Sequence, residues 1–160
     1  MSIKQLLETM ADLESRIAVI YERFATEFRG VADISDLWDS MSREELHHAD
    51  LLSHAAGAAT GASTGTGMAG HVHKLEELVA QYERDQRQIV SLQEALRLTA
   101  DIEEAEAAYL HGALSMDDGV SALAETPAMH HRLRGLLEHA IRLFGTPALQ
   151  QRVAWHRFHD

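Results

Sequence analysis

The chain has 160 residues, a length that suits a single domain with a full hydrophobic core. Its formal net charge of -11 argues against a nucleic-acid partner, because phosphate binding depends on clustered Lys and Arg, and is compatible with attracting cations. The absence of cysteine excludes disulfides, thiolate zinc sites and iron–sulfur clusters. No apolar run approaches the roughly 20 residues of a membrane span, and the amino terminus lacks a signal-peptide core, so we expect a soluble, cytoplasmic protein with no membrane partner.

The composition favours helices. Only two prolines occur, residues such as Ala, Leu, Glu, Gln and Arg dominate, and strand-like runs of Val, Ile, Thr and aromatic residues are missing. We therefore predict an all-α fold, with one helical domain over residues 1–147 and a tail segment over residues 148–160.

The first predicted helix runs from about Ile3 to Phe28 and carries a single charge within a stripe of apolar and small residues. The alanines around Glu14 leave room for its carboxylate to reach the axis of a helix bundle. Tyr21, two turns further on, would donate a hydrogen bond there or act as a redox-active neighbour. The alternative is that Glu14 lies at the edge of the stripe and extends to water. The stripe consists of Leu7, Ala11, Glu14, Ala18, Tyr21 and Ala25.

A short connection leads to a second predicted helix, from about Ser35 to Ala55. Asp33 or Ser35 is the expected cap of this helix. Because the connection is short, we expect the two helices to form an antiparallel hairpin.

Glu45 and His48 form the most informative pair in this second helix. They are three residues apart, so they share a face. Burying a carboxylate and an imidazole among apolar residues is costly unless each finds a partner, and one metal ion partners both. A Glu-x-x-His pair that points into a helix bundle supplies ligands in di-iron and di-manganese carboxylate proteins. The alternative is an exposed ion pair on a surface helix. The predicted inward stripe is Met41, Glu45, His48 and Leu52, and the outward one is Ser40, Arg43, His47 and Asp50.

Residues 55–88 are predicted to join two helical hairpins. Residues 55–70 are low in complexity, rich in Gly, Ala, Ser and Thr, and uncharged, so we predict a flexible loop that crosses the bundle. A further helix is expected over residues 71–86. One side of it carries Leu75, Leu78, Val79 and Tyr82.

The next predicted helix, from about Ile89 to Met116, again carries carboxylates among apolar and small residues. Glu103 lies on its main stripe and Glu106 on the adjoining one, so both are candidates to point inward. Tyr109 follows nearby. The main stripe is Leu92, Leu96, Thr99, Glu103, Ala107, Leu110 and Leu114.

The last predicted helix runs from about Thr126 to Phe144, with a proline in its first turn. His139 lies at one border of the apolar stripe, so an inward and an exposed orientation are both open. The predicted stripe is Met129, Leu133, Leu136, Ala140 and Leu143.

Taken together, these residues resemble the ferritin-like superfamily, specifically its rubrerythrin-like branch, from the first helix through the last. The resemblance is carried by three pieces of sequence. They are Glu14 with Tyr21 seven residues later, the Glu45-Leu-His-His48-Ala49 run, and the Ala95-Leu-Arg-Leu-Thr-Ala-Asp-Ile-Glu103-Glu-Ala-Glu run with Tyr109 nearby.

The resemblance implies an antiparallel four-helix bundle that holds two metal ions, usually iron. By that pattern Glu14 and Glu103 would be terminal carboxylates, Glu45 a bridge and His48 an imidazole ligand. Because His139-Ala140 matches His48-Ala49, the pattern makes His139 the second imidazole. Tyr21 and Tyr109 would be catalytic neighbours of the ions.

The sequence departs from the family pattern at Leu136, where a glutamate is expected three residues before His139. Glu106, one turn beyond Glu103, is the candidate replacement. Three outcomes are open: a full but asymmetric di-iron site, one weak metal position, or a single ion such as Zn(II). Carboxylates with two imidazoles suit Fe, Mn or Zn, so the ligand list does not choose among them.

The first hypothesis from the resemblance is a di-iron oxidoreductase or iron-handling protein that reduces peroxide or oxygen, or oxidises Fe(II). Because a rubredoxin module requires cysteine, electrons would come from an external donor or from Fe(II) itself. The alternatives are a metal store, sensor or carrier with a partial site, and a structural helical protein whose carboxylates and histidines form a buried hydrogen-bonded network. The resemblance also implies a homodimer.

Overall fold

A computed structural model describes the backbone of residues 1–59, 66–85, 91–114 and 126–145. Side chains are described over residues 1–59, 70–84, 91–107 and 134–145. This part of the chain contains five helices and no β-strand, which confirms the all-α prediction. None of the helices within these ranges is long and apolar enough to cross a membrane. The helices are α1 (Ile3–Glu27), α2 (Ala32–Ala58), α3 (Thr66–Asp85), α4 (Leu92–Leu114) and α5 (Thr126–Phe144).

Helix α1 begins at a capping box. The hydroxyl of Ser2 accepts a hydrogen bond from the Gln5 backbone N–H at 3.2 Å, and the Gln5 side chain accepts one from the Ser2 N–H at 2.9 Å. The N–H of the cap residue and one N–H of the first helical turn thus find partners before the apolar stripe starts. The predicted stripe is confirmed, since all six of its members are buried, including Glu14 and Tyr21.

Helix α2 begins at Ala32 rather than Ser35, and neither predicted cap is correct. Val31 is the N-cap and makes no side-chain cap hydrogen bond. The reason is local: the carbonyl of Val31 already accepts hydrogen bonds from the N–H groups of Ile34 and Ser35, both at 3.0 Å, so the helix starts before Ser35. The hydroxyl of Ser35 instead donates to the carbonyl of Ala25 at 2.8 Å, which ties the two helices of the hairpin together.

Helix α3 starts within the segment predicted as a loop, so the predicted loop over residues 55–70 is too long at both ends. Residues 60–65 and the predicted tail, residues 148–160, lie outside the described residues. The apolar side of α3 is confirmed. Leu75, Val79 and Tyr82 are buried and Leu78 is half-buried.

The main helix contacts form a closed ring in the order α1, α2, α5, α4, α3. Helix α3 therefore packs against both α1 and α4. A paired contact fixes α3 on α1, because the guanidinium of Arg16 donates to both carboxylate oxygens of Glu83, at 2.9 and 2.7 Å.

Aromatic side chains fill the core between α1, α2 and α3. The ring of Phe24 lies 5.0 Å from that of Trp38 and 5.7 Å from that of Tyr82, and Phe28 also contacts Trp38. The indole N–H of Trp38 donates to the hydroxyl of Thr99 at 2.9 Å, which links this core to α4.

Helix α5 has the predicted bounds but not the predicted buried face. Leu137, Ala140 and Ile141 are buried, whereas Leu136 is 45% and Leu143 is 59% exposed. Adjacent residues are about 100° apart around a helix. Helix α5 carries two overlapping apolar stripes, one through Leu136 and Leu143 and the other, shifted around the helix, through Leu137 and Ile141. Packing against α2 and α4 selects the stripe that contains Leu137 and Ile141, so the stripe predicted from periodicity is wrong at Leu136 and Leu143.

Candidate metal centre

Five buried polar side chains from three helices meet in the interior of the protein. Their ligand atoms form two groups, and within each group all atoms lie within 4.8 Å of one another. Glu14, Glu45 and His48 form the first group, and Glu45, Glu103 and Glu106 form the second, so that Glu45 belongs to both. We call these five residues the carboxylate–histidine cluster.

Helix α1 supplies Glu14, whose side chain is 1% exposed. Ala11 and Ala18, one turn away on either side, are also buried and leave space for a carboxylate between the helices. The alternative that Glu14 extends to water is therefore wrong.

Helix α2 supplies Glu45 and His48, both with 0% exposure. The Nδ1 atom of His48 lies 2.9 Å from the Oε2 atom of Glu45, so the two side chains contact each other across one helical turn. Met41 and Leu52 are buried on the same face, while Arg43, His47 and Asp50 are exposed on the other. The predicted inward stripe of α2 is confirmed, and the pair is not a surface ion pair. 

Helix α4 supplies Glu103 and Glu106, which are 6% and 0% exposed. The hydroxyl of Tyr21 donates to the Oε1 atom of Glu103 at 3.0 Å, and Tyr21 itself is fully buried. This hydrogen bond joins α1 to α4 at the cluster and orients the Glu103 carboxylate. Glu106, the candidate replacement ligand, lies in the same ligand group as Glu45 and Glu103.

Two of the grouped carboxylates, those of Glu45 and Glu106, resist ionisation when no cation is bound. Burial, followed by the negative charge of Glu103, raises the pKa of Glu45 to about 8, although a hydrogen bond with Glu14 partly offsets the rise. Burial and the charges of Glu45, Glu14 and Glu103 hold the pKa of Glu106 well above its ordinary value. The pKa of Tyr21 is raised by burial and then by the charge of Glu103, so the phenol keeps its proton.

The residues of the cluster fit a metal ion. Oxygen and imidazole ligands suit Fe, Mn and Zn, and a divalent cation offsets the charge that otherwise has to be offset by bound protons. The Oε1 atom of Glu45 is buried and accepts no hydrogen bond from any described residue, so it is available as a ligand atom. When ionised, the four carboxylates of Glu14, Glu45, Glu103 and Glu106 would carry enough negative charge to balance two divalent cations.

The structure does not bring His139 into the cluster. Its side chain is exposed and lines a surface groove of about 340 Å³ between α5 and the first turns of α2, together with residues such as Leu37 and Ser40. Leu136 lines the same groove. The prediction of an inward second imidazole is not supported, because α5 buries the face that contains Leu137 and Ile141 instead. Within residues 134–145 no side chain belongs to either ligand group.

The side chain of Tyr109 lies outside the described residues.

The sequence gives no direct sign of the contact between Trp38 and Thr99, which joins α2 to α4 one helical turn before Glu103. The two residues are 61 positions apart. The available signal is the polar Thr99 inside the apolar stripe of α4, since a buried hydroxyl requires a hydrogen-bond partner. Thr99 also donates to the carbonyl of Ala95 at 2.9 Å.

No model of a known protein family matches the chain, and neither does any curated protein or solved structure.

Proposed function

We propose that the carboxylate–histidine cluster is a two-ion metal centre, with iron as its metal, in a ferritin-like bundle of the rubrerythrin-like kind. The proposed activity is metal-dependent redox chemistry: reduction of peroxide or oxygen, or oxidation of Fe(II). The observation that carries the proposal is the burial of four carboxylates and one imidazole in two ligand groups that share Glu45.

Each ion has its own set of residues in this proposal. Glu14 and His48 would hold one ion, Glu103 and Glu106 would hold the other, and Glu45 would contribute to both. The two ions together balance the four carboxylate charges, which makes double occupancy electrostatically favourable in a buried site. Two iron ions, when bound, supply the one-electron steps that reduce peroxide or oxygen.

The protein's own residues orient the ligands and keep water away. The apolar residues Met41 and Leu52 flank the α2 ligands and are buried with them. Tyr21 holds one oxygen of Glu103 by a hydrogen bond and retains its proton at neutral pH, so it remains a donor next to the centre. Electrons would come from an external donor or from Fe(II).

The second candidate function is metal binding without redox turnover, as a store, sensor or carrier. The observation that favours it is the orientation of α5, whose residues 134–145 contribute no member to the cluster. In that case the protein would bind iron and show no oxidation on exposure to air. A buried hydrogen-bonded network without metal is the third reading.

The test is elemental analysis of protein purified without chelators or an affinity tag, followed by anaerobic loading with Fe(II) and exposure to air. We expect about two irons per chain and a near-ultraviolet absorbance that grows on oxidation. Glu45→Gln should bind less than about one iron per chain, because it weakens both ligand groups. Glu104→Gln, an exposed neighbour of Glu103, is the matched control and should bind as the unmodified protein does.

Two results would contradict the proposal. If the unmodified protein binds no metal after loading, the cluster is a hydrogen-bonded network. If Glu45→Gln binds as much iron per chain as the control Glu104→Gln does, the bound ions lie elsewhere. Bound iron that is not oxidised in air would select the store, sensor or carrier function.

A further inference from the structure

We propose that residues 146–160 of the chain dock in the surface groove between α5 and the first turns of α2, and that they cover its apolar wall. These residues begin one position after Gly145 and lie outside the described residues. The proposal does not depend on the metal centre, because no described residue of the groove belongs to the carboxylate–histidine cluster.

The first argument is the second apolar stripe of α5, which is open at the groove. Leu137 and Ile141 are buried, whereas Leu136 and Leu143 line the groove and are 45% and 59% exposed. Leu136 and Leu143 are seven residues apart, so they lie on one face, two turns from each other. The other described residues do not cover this face. Large apolar side chains that are grouped on one exposed face are typical of a surface that packs against something.

The second argument is the size of the groove. Its volume is about 340 Å³, which is at the small end of the range for sites that bind a ligand. A stable interface between two folded chains extends over roughly 20–30 residues a side, far beyond a groove of this size. The groove therefore suits a short segment that inserts one or two large side chains.

The third argument is charge complementarity between the groove and residues 146–160. Asp33 and Asp36 line the groove and are exposed, and no Lys or Arg is among the described residues that line it. Residues 146–160 carry two arginines, Arg152 and Arg157, against one aspartate, although the whole chain has a net charge of -11. A basic segment is attracted to an acidic groove. The large apolar side chains of the segment are Leu149, Val153, Trp155 and Phe158.

The fourth argument is the place where the segment is attached. Phe144, the last residue of α5, itself lines the groove, so the segment starts at the edge of the groove. A segment tethered this closely has an effective concentration on the order of millimolar at the groove, so weak contacts are enough for docking. The contact is therefore local and contributes little to the free energy of unfolding. Its effect is to shield the exposed stripe of α5 from other molecules.

The experiment cross-links the whole chain through two introduced cysteines. The sequence contains no cysteine, so each introduced pair reports one distance. The test pair is Ser40→Cys with Ala154→Cys, because Ser40 lines the groove. The control pair is Ser53→Cys with Ala154→Cys, since Ser53 is exposed on the same helix, roughly 20 Å further along. A short bismaleimide should join the test pair within one chain at least about tenfold faster than the control pair.

Further substitutions in the test pair identify the contacts that hold the segment. Asp36→Asn should slow the cross-linking several-fold, and so should a high salt concentration, because both weaken the attraction to the arginines. Asp50→Asn, at an exposed position of α2 that does not line the groove, is the control. Leu143→Asn should also slow the reaction, with the exposed Leu46→Asn as its control. Far-ultraviolet circular dichroism checks that each variant is folded.

Three results would overturn the proposal. If the test and control pairs react at the same rate, the segment reaches both positions without docking. If protein with Ser40→Cys alone is joined to protein with Ala154→Cys alone as fast as the test pair reacts, the groove is filled by a second copy of the chain. If Asp36→Asn and Leu143→Asn react as fast as their controls, the segment docks elsewhere. None of these results changes the metal content that tests the proposed function.

Discussion

The α1–α2 hairpin and the α4–α5 pair contribute unequally to the carboxylate–histidine cluster. Both helices of the hairpin place polar side chains in it, whereas in the second pair α4 does so and the described part of α5 does not. The difference is clearest in two matching dipeptides. In His48-Ala49 both residues are buried and the imidazole belongs to the cluster, whereas in His139-Ala140 the imidazole is exposed while the alanine is buried.

The comparison teaches that a short motif does not set the orientation of its histidine. Helix α2 has a polar side, with Arg43, His47 and Asp50, so burying the opposite face leaves one large apolar side chain, Leu46, exposed. Helix α5 has apolar residues on more than one side. Its neighbours therefore decide which stripe is buried, and they select the face that leaves His139 outside.

The largest expected effect comes from replacing the two histidines in turn. His48→Asn should weaken binding of the first metal ion by roughly tenfold or more, because it removes the one imidazole of the cluster. His139→Asn should leave the affinity unchanged, because the side chain faces solvent. Isothermal titration with Zn(II) measures both variants under the same conditions. Equal losses in the two variants would mean that α5 turns its histidine inward when metal binds.

The next effect is the pH dependence of the free energy of unfolding of the metal-free protein. The pKa of Glu45 is raised from 4.5 to about 8 in the folded state. Between these values the folded protein binds more protons than the unfolded chain, so the free energy of unfolding falls as pH rises through this window. We expect the metal-free protein to be less stable at about pH 9 than at about pH 5, by a few kcal/mol at most.

Urea unfolding across this pH range measures the effect. Glu45→Gln should flatten the dependence, although Glu106 leaves part of it, because its pKa is raised by the same causes. The exposed Glu104→Gln should keep the full dependence. Metal-loaded protein should show a weaker loss of stability at high pH, since bound cations replace the protons. A metal-free protein whose stability rises through the window would show that the carboxylates are not held together as described.

The carboxylates whose inward orientation was predicted correctly share a physical feature. Glu14, Glu45 and Glu103 each lie in a stripe whose other members, apart from His48, are apolar or small, so burying the stripe also buries the carboxylate. Glu106 follows from its position one turn beyond Glu103. The periodicity of a single helix was enough in these cases, because the opposite face is clearly polar.

The features that were missed depend on contacts between distant parts of the chain. The start of α2 is set by backbone hydrogen bonds to the Val31 carbonyl, and the face of α5 is set by α2 and α4. The hydrogen bond between Trp38 and Thr99 is of the same kind. Periodicity describes one helix at a time, so it contains no information about which of two apolar stripes a neighbour will cover.

A smaller effect is expected where α4 is joined to the hairpin. Trp38→Phe removes the hydrogen bond to Thr99 and leaves a gap in the aromatic core, so it should lower the free energy of unfolding by roughly 1–3 kcal/mol. Because the indole also packs against Phe24 and Phe28, Trp38→Phe should weaken metal binding at both ligand groups of the cluster. Thr99→Val, which removes the hydrogen bond at nearly constant volume and leaves the aromatic core unchanged, is the matched variant and should weaken binding mainly at the group that contains Glu103 and Glu106. Urea unfolding and metal titration of the two variants measure these effects, and equal weakening of both groups in Thr99→Val would show that the hairpin and α4 move as one unit.

The smallest effect is expected at Leu136, where the family pattern calls for a glutamate. Leu136→Glu would restore that pattern in the sequence, yet the side chain is 45% exposed on the groove side of α5. The new carboxylate should therefore reach solvent, change the free energy of unfolding by no more than about 0.5 kcal/mol, and add no metal ion per chain. Leu137→Glu is the contrasting variant, since it would place a carboxylate in the buried face and should destabilise the protein by several times as much. Elemental analysis and thermal unfolding of the two variants decide the orientation of α5. A gain in bound metal in Leu136→Glu would show that α5 can rotate by about one residue, and both helices of the α4–α5 pair would then contribute to the cluster as both helices of the hairpin do.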